Sequence, residues 1–202
     1  MANHLETREA AYREAISSGR VKMLLLFLVC AAPVIASYVS YYFLQPQGRT
    51  NYGQLLDVKP VPEASFALLD GKPLPFSTFK GKWVLLTVDG SSCNEACVRK
   101  LYVMRQVRLT QGKEKERVER AWLITDGDAL TTQLIREYDG TRMLRAAPDA
   151  PFLKALPAAG TAADHIYLID PLGNLVLRFP KDAEPARMKK DLDRLLKYSR
   201  IG

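Results

Sequence analysis

Side chains that bind metals or form redox centres are scarce in this sequence. Its 202 residues include three cysteines, Cys30, Cys93 and Cys97, and two histidines, His4 and His165. With so few cysteines and histidines, the sequence contains none of the classical zinc-binding spacings. The patterns G-x-x-x-x-G-K-[ST] and G-x-G-x-x-G are also absent, so the sequence gives no support to a nucleotide-dependent enzyme. Any thiol or imidazole chemistry must use one of these cysteines or histidines.

A concentrated block of one charge is also lacking, although the net charge is +7 and the isoelectric point about 9.3. The densest charged run, residues 113–120, alternates Lys or Arg with Glu. Alternating signs are typical of a solvated face or loop, whereas nucleic-acid-binding tails concentrate one sign. We therefore expect no nucleic-acid partner.

One long uncharged segment is present near the N-terminus. Residues 23–44 carry no charge, and 22 residues at about 1.5 Å each span a hydrocarbon core of about 30 Å. Pro33 is tolerated in a membrane helix, and the tyrosines near the end are typical of the interface: Tyr38, Tyr41 and Tyr42. The alternative is a cleaved signal peptide, but the stretch is longer than an h-region and follows 22 other residues. The sequence predicts an uncleaved transmembrane helix.

Basic residues are more frequent before this segment than after it. Those before it are Arg8, Arg13, Arg20 and Lys22, and those soon after it are Arg49 and Lys59. Cytoplasmic flanks carry the excess of Lys and Arg, so residues 1–22 are predicted to be cytoplasmic. We expect a single-pass protein of the inner (plasma) membrane with a periplasmic C-terminal domain, or in an organelle a domain in an intermembrane space. Cys30 lies inside the span, where a cysteine acts as a small apolar side chain.

The rest of the chain divides into a linker and one domain. Residues 45–64 are rich in proline and glycine, which is typical of a linker. Residues 65–202 alternate strand and helix patterns, so we predict an α/β domain. The near-continuous apolar run over 82–88 predicts a central strand buried on both faces.

Further elements follow from local patterns. Two apolar runs flank residues 170–174 and predict a hairpin. A helix capped by Asp128 is expected over 128–138, and an irregular segment over 140–163. A closing amphipathic helix is predicted from apolar residues at helical spacing: Met188, Leu192, Leu195 and Leu196.

Two cysteines stand at the junction between a predicted buried strand and a predicted helix over 94–109. The free N–H groups and the positive end of the helix dipole stabilise a thiolate at Cys93. Inside a regular helix Cys93 and Cys97 would be too far apart for an easy bridge, but the gap closes if Cys93 lies in the preceding loop. A reversible disulfide, or a two-thiolate site for soft Cu(I), then becomes feasible. A purely structural disulfide is the alternative, but a disulfide that closes so short a loop removes little entropy from the unfolded chain and therefore stabilises the fold little.

His165 is the only histidine after the membrane segment, and it opens the predicted strand 165–169. If the start of that strand lies beside the dithiol, a neutral imidazole is a candidate third metal ligand, trigonal with the two sulfurs and oriented by Asp164. The alternative is a surface histidine at a strand end.

Several stretches of the sequence resemble a known family. They are FALLDGKPL over 66–74, FKGKWVLL over 79–86, the C-x-x-x-C dithiol, and Asp164-His165 before YLIDPLG over 167–173. Together with one N-terminal membrane anchor, they resemble the Sco (SenC) family of copper-binding, thiol-active assembly factors for the dinuclear copper centre of cytochrome c oxidase. The resemblance implies a thioredoxin-like fold, with a central mixed sheet flanked by helices.

The same resemblance implies a site and partners. Cys93, Cys97 and His165 would bind copper, as Cu(I) or Cu(II), and the partner would be a membrane protein complex, cytochrome c oxidase subunits. The sequence departs from the family around the dithiol, where Asn94-Glu95-Ala96 and Val98 stand where the family usually has proline. His165 also lies closer to the following strand than the family's histidine.

Three functions remain open from the sequence. The first is a Sco-like copper chaperone and thiol-redox assembly factor for a respiratory cytochrome c oxidase. The second is a membrane-tethered thiol–disulfide oxidoreductase, in which Cys93 attacks a target disulfide and Cys97 resolves the mixed disulfide. The third is a non-catalytic thioredoxin-fold accessory module bound to a membrane complex, which would need neither cysteine.

Overall fold

The computed structural model describes residues 3–43, 51–199 and 201. The chain divides into two units, Met1–Arg49 and Thr50–Gly202. The first unit contains helix α1, Asn3–Phe43. Within α1, Gly19–Tyr42 is apolar and long enough to cross a membrane, with a mean hydropathy of 2.2. This agrees with the predicted N-terminal membrane helix.

The second unit is built on one eight-stranded mixed sheet in the order β1-β8-β7-β4-β5-β6-β2-β3. The strands are β1 (Gln54–Pro60), β2 (Ser65–Leu68), β3 (Pro73–Pro75), β4 (Trp83–Asp89), β5 (Val118–Ile124), β6 (Thr141–Arg145), β7 (Ile166–Ile169) and β8 (Asn174–Phe179). The helices are α2 (Glu95–Leu109), α3 (Thr132–Glu137), α4 (Pro151–Lys154) and α5 (Pro185–Tyr198). Three short 3₁₀ segments complete the unit: Phe76–Phe79, Gly112–Arg117 and Ala162–Asp164.

Strand β4 occupies the centre of the sheet, as its apolar run predicts. It pairs in parallel with β5 and antiparallel with β7. Val84 and Leu86 pack in one hydrophobic cluster, while Trp83 and Leu85 pack in another. Successive side chains of a strand point to opposite faces, so a strand buried on both faces must be apolar throughout. The last residue of β4, Asp89, therefore lies at the end of the central strand, where the turn with the dithiol begins.

The two faces of the sheet have different covers. On one face, the rings of Phe66 and Phe152 meet edge to face with centroids 5.2 Å apart, a favourable arrangement for aromatic pairs. On the other face, α2 contributes Met104 and α5 contributes Met188 and Leu192 to the core. The amphipathic pattern predicted for the last helix is confirmed, since Met188, Leu192 and Leu196 are buried.

Folded structure begins before Ser65, where the sequence predicted the end of a linker. Strand β1 lies within the predicted linker and pairs antiparallel with β8. Gly53, directly before β1, is also bound to the domain, because its N–H donates to the buried Asp191 of α5 at 2.8 Å. The prediction was wrong here because proline and glycine content indicates a loop, whereas β1 is an edge strand, a place where proline is tolerated.

Two other local predictions need correction. The helix α3 begins after Thr131, whose hydroxyl accepts from the Leu134 N–H, and so Asp128 is not its cap. The segment 140–163 is not wholly irregular, since it contains β6 and α4. The predicted hairpin over 170–174 is confirmed: β7 and β8 pair antiparallel, and Asp170 Oδ1 accepts from the Asn174 N–H at 2.8 Å.

Candidate functional site: the dithiol turn

The dithiol lies in the turn between β4 and α2. Helix α2 begins at Glu95, with Asn94 as its cap, so Cys93 lies outside the helix. Cys93 and Cys97 form a disulfide with their Cα atoms 5.1 Å apart. The distance falls in the range that a disulfide requires because only Cys97 is helical. The prediction that the gap closes when Cys93 precedes the helix is confirmed.

The two sulfur-bearing residues differ in accessibility. Cys97 is 0% exposed and packs in a cluster with Leu101, Trp122, Ile124, Tyr138 and Met143. Cys93 is only half-buried and borders the same cluster beside Val98, Leu130 and Leu134. Asn94 holds the backbone of the buried Cys97, because its side-chain oxygen accepts a hydrogen bond from the Cys97 N–H at 3.1 Å. Of the two cysteines, only Cys93 has surface exposed to solvent, and so only Cys93 is open to a partner molecule without a rearrangement.

Cys93 has an unusual backbone conformation. Its φ is +35°, and it is the one non-glycine residue with a positive φ in the part of the chain that the structure describes. The left-handed region costs an ordinary residue about 1–2 kcal/mol. The Cys93 N–H donates to the carbonyl of Gly90 at 3.2 Å, which closes the turn. Strain of this kind persists only where surrounding contacts hold the backbone.

Asp126, after β5, holds this turn from outside. Its Oδ2 accepts from the Ser91 N–H at 2.8 Å. The hydrogen bonds from Ser91 are the main reason that the pKa of Asp126 lies below its usual value. Arg145 in turn donates from Nη1 to the Asp126 carbonyl and from Nη2 to the Asp128 carbonyl, each at 2.9 Å. Neither residue was predicted from the sequence, in which the one available signal was an aspartate soon after the strand parallel to β4.

A buried ion pair lies one helical turn beyond Cys97. The Lys100 ammonium is 2.6 Å from Asp89 Oδ2, with side-chain exposures of 4% and 12%. Lys100 also donates to the Ala163 carbonyl. Burial raises the pKa of Asp89 above its usual value, and the hydrogen bond from Lys100 opposes that rise. This pair fastens α2 to β4 and to the segment before His165, and it was not predicted from the sequence.

His165 is 6% exposed, and both of its ring nitrogens are occupied. Nδ1 lies 2.9 Å from the Phe179 carbonyl, and Nε2 accepts from the Ala159 N–H at 3.3 Å. These partners require the neutral tautomer with its proton on Nδ1. Cross-strand pairing of Ile166 with Phe179 sets this position. The histidine is not on the surface, as one alternative had it, but joins β8 to the loop before β7.

The residues present fit a third copper ligand poorly as they stand. Within residues 3–43, 51–199 and 201, no group of three or more Cys, His, Asp or Glu side chains is arranged to hold a metal ion. The two sulfurs alone, once reduced, are soft ligands suited to Cu(I). To join them, His165 would have to give up the hydrogen bond from Ala159. Its role as a ligand stays a prediction.

Asp164 is engaged away from the imidazole. Its Oδ2 accepts from the Thr161 N–H and hydroxyl at 3.2 and 3.1 Å, and its Oδ1 pairs with Lys181 at 2.9 Å. The hydrogen bond from Lys181, followed by those from Thr161, lowers the pKa of Asp164 to about 2. Asp164 thus caps the short 3₁₀ segment before His165 instead of orienting the ring.

This carboxylate gives a pH-dependence prediction. Its pKa is about 2 in the folded chain against 3.8 for an ordinary aspartate, so it stabilises the folded state above pH 3.8. That contribution is lost as the pH falls from 3.8 towards 2. We expect Asp164→Asn to lower the free energy of unfolding at neutral pH. Measured by urea unfolding at a series of pH values, the decrease in stability between pH 3.8 and pH 2 should be smaller in this variant than in wild type. The exposed Asp149→Asn is the control, and an equally small decrease in that variant would contradict the assignment.

Comparison with known proteins agrees with this architecture. The family described as "transmembrane-like, thioredoxin-like, C-terminal domain" matches residues 83–199, which include the dithiol. No curated protein matches the sequence.

Solved structures with a similar fold include two Sco proteins. ScoI of Bradyrhizobium japonicum with copper bound is 20% identical with a TM-score of 0.53, covering 67% of this chain and 99% of that one. Yeast Sco1 with copper bound is 14% identical with a TM-score of 0.58, covering 69% and 94%. A putative protein disulfide isomerase from Bacteroides thetaiotaomicron is 19% identical with a TM-score of 0.53, covering 73% and 95%.

These similarities confirm the predicted thioredoxin-like fold, and Sco proteins are among those that share it, as the sequence resemblance led us to expect. Together with the apolar N-terminal helix, they describe a thioredoxin-fold protein with a membrane anchor. The chain belongs to the transmembrane-like, thioredoxin-like C-terminal domain family.

Proposed function

We propose that this protein is a membrane-tethered thiol–disulfide exchange protein that uses Cys93 and Cys97. One observation carries the proposal: the two residues form a disulfide in which Cys93 is partly exposed and Cys97 is fully buried. A structural staple has no need of a reachable sulfur, and it gains little from closing a loop this short. A redox pair needs one accessible sulfur and one protected sulfur.

The reaction follows from this asymmetry. In the reduced protein, the Cys93 thiolate attacks one sulfur of a target disulfide, forms a mixed disulfide and releases one target thiolate. The Cys97 thiolate then attacks Cys93, restores the internal disulfide and releases the second target thiolate. Two electrons pass from protein to target, and the reverse sequence oxidises a target dithiol. The N-terminal end of α2, which begins at Glu95, favours the thiolate at Cys93.

The predicted topology suits this chemistry. The excess of Lys and Arg before the apolar segment supports an N-terminus in the cytoplasm and a C-terminal domain in the periplasm. Disulfides persist in such an oxidising compartment. A membrane anchor confines the exchange to partners at the same membrane.

The proposal is tested by mixing the reduced full-length protein with a disulfide-containing peptide. We expect one peptide disulfide to be reduced per protein molecule, with Cys93–Cys97 as the product. Cys30→Ser serves as the background, so that only the exported thiols report. A protein that stays reduced in excess peptide would overturn the proposal.

Copper handling for a cytochrome c oxidase is the second candidate function. What favours it is the shared fold with Sco proteins solved with copper bound, together with a sulfur pair suited to Cu(I). Copper would then be cargo on Cys93 and Cys97, with His165 as the candidate third ligand and oxidase subunits as recipients. The two functions overlap, because reducing the copper-site cysteines of an oxidase subunit is itself assembly work.

A copper titration separates a two-sulfur site from a three-ligand site. Both ring nitrogens of His165 already have hydrogen-bond partners. We therefore expect His165→Gln to change the Cu(I) affinity of the reduced protein by less than about tenfold, which is the smallest loss typical when a residue that supports a metal ligand is replaced. The measurement is an anaerobic titration against a competing chelator, with Cys93→Ser as the positive control. A larger loss in His165→Gln would show that the histidine turns to bind copper.

A further inference from the structure

The loop after β5 is fastened to the turn that carries the dithiol. Asp126 reaches across 35 positions of sequence to accept the Ser91 N–H at 2.8 Å. Gly90 makes this approach possible, because a Cβ atom at that position would lie 2.6 Å from Asp126 Oδ2. A second link joins the two strand ends, since the Thr125 N–H donates to the Asp89 carbonyl at 3.1 Å. The turn is therefore braced by the neighbouring loop as well as by its own hydrogen bonds.

Arg145, at the end of β6, braces that loop in turn. Its two terminal nitrogens hold the carbonyls of Asp126 and Asp128, both at 2.9 Å. A planar guanidinium that binds two acceptors fixes orientation as well as distance. The second carboxylate oxygen of Asp126, Oδ1, is enclosed and accepts no hydrogen bond from the described residues. The carboxylate is thus held mainly through the Ser91 side of the contact.

What this bracing holds is the strained residue of the turn. Cys93 lies three residues beyond Gly90, whose carbonyl accepts its N–H, and its φ of +35° is unfavourable for any residue other than glycine. The disulfide ties Cys93 to Cys97 in this place, whereas reduction breaks the bond that links the two sulfurs. A contact that stabilises the turn therefore favours the disulfide over the dithiol.

We infer that Asp126, held by Arg145, is a positioning residue that sets the redox equilibrium of the Cys93–Cys97 pair. The inference rests on the proposed thiol–disulfide function. The equilibrium is a balanced exchange: the protein disulfide and two glutathione thiols give the protein dithiol and one glutathione disulfide. Two electrons and two protons pass to the protein. Loss of the Asp126 contact shifts this equilibrium towards the dithiol.

The test compares variants of full-length protein in detergent, all with Cys30→Ser, after equilibration in glutathione buffers and alkylation of free thiols. Asp126→Ala is expected to shift the equilibrium constant about tenfold towards the dithiol, equivalent to about 30 mV. Asp126→Asn keeps an acceptor oxygen for Ser91 and is expected to remain within about threefold of wild type. Gly90→Ala adds a Cβ atom that pushes the Asp126 carboxylate away from the turn without removing its charge. This variant should shift the equilibrium in the same direction as Asp126→Ala.

Asp128→Ala is the matched control. It removes one negative charge from the same loop and keeps the carbonyl that Arg145 binds. We expect it to stay within about twofold of wild type. The inference is overturned if Asp126→Ala also stays within twofold, or if Asp128→Ala shifts the equilibrium equally, since the effect would then be loop charge alone.

Two readouts keep this result separate from other failures. The wild-type titration tests the proposed function itself, whereas the ratio of variant to wild type tests Asp126. If glutathione leaves the wild-type pair fully oxidised, the same ratio is measured with dithiothreitol, a stronger reductant. Urea unfolding of the dithiol form gives the purely structural effect: if Asp126→Ala destabilises dithiol and disulfide forms equally, the residue has no redox role and the inference fails.

Discussion

Replacing Cys93 with serine is expected to abolish disulfide exchange, and replacing Cys97 is expected to stop it half-way. Cys93 is the more exposed cysteine and the proposed nucleophile, so reduction of a disulfide-containing peptide should slow by at least about 10²-fold in Cys93→Ser. In Cys97→Ser the first attack remains possible. With no second thiol to release the peptide, the mixed disulfide on Cys93 should accumulate.

The measurement is the mass of the intact protein with time after mixing, in the Cys30→Ser background. Ser92→Ala is a suitable control, because it alters an exposed hydroxyl in the same turn and leaves both sulfurs in place. A mixed disulfide that forms on Cys97 in the Cys93→Ser variant, at a rate near that of wild type, would contradict the assigned roles. It would mean that the fully buried sulfur is the one that partners reach.

The largest effect on stability is expected at the buried ion pair. Lys100→Met removes the cation that faces Asp89 at 2.6 Å and leaves a largely buried carboxylate without it. Loss of one partner from a buried pair typically costs about 3–5 kcal/mol. The double variant Asp89→Asn with Lys100→Met removes the charge as well, so it should recover a large part of that loss.

The same variant has a defined pH dependence. Burial already raises the pKa of Asp89, and loss of Lys100 removes the contacts that oppose the rise. A carboxyl group whose pKa is raised in the folded state binds more protons when the protein is folded. The free energy of unfolding therefore falls as the pH rises above 3.8, the pKa of an ordinary aspartate in the unfolded chain. Urea unfolding of Lys100→Met should therefore show a larger deficit at neutral pH than at about pH 4. An equal deficit at both would contradict an effect through Asp89.

Much of the fold was predictable because its signals are local. The apolar run that became β4 predicts a strand buried on both faces, and the cysteines at its end predict a dithiol at a strand–helix junction. The helix predicted over 94–109 begins one residue later, at Glu95, with Asn94 as its cap. The edge strand β1 was missed for a related reason: local composition of proline and glycine indicates a loop, and only pairing with β8 shows a strand.

The supports of the site were not predictable, because each one joins distant segments. Asp126 meets Ser91 across 35 positions, and Lys100 meets Ala163 across 63. A single sequence carries no trace of such pairings. His165 shows the opposite difficulty: it was predicted at the start of a strand and lies directly before β7. The partners of its ring, Phe179 and Ala159, come from the hairpin and the preceding loop and were not predicted.

One measurement tests the central claim most directly. Reduced full-length protein with Cys30→Ser is mixed with a disulfide-containing peptide, and digestion at successive times locates the peptide adduct. The account predicts a transient adduct on Cys93 that is replaced by the Cys93–Cys97 disulfide, with one peptide disulfide consumed per protein. No adduct and no internal disulfide, in a protein that binds one Cu(I) tightly through His165, would contradict it and leave copper handling as the function.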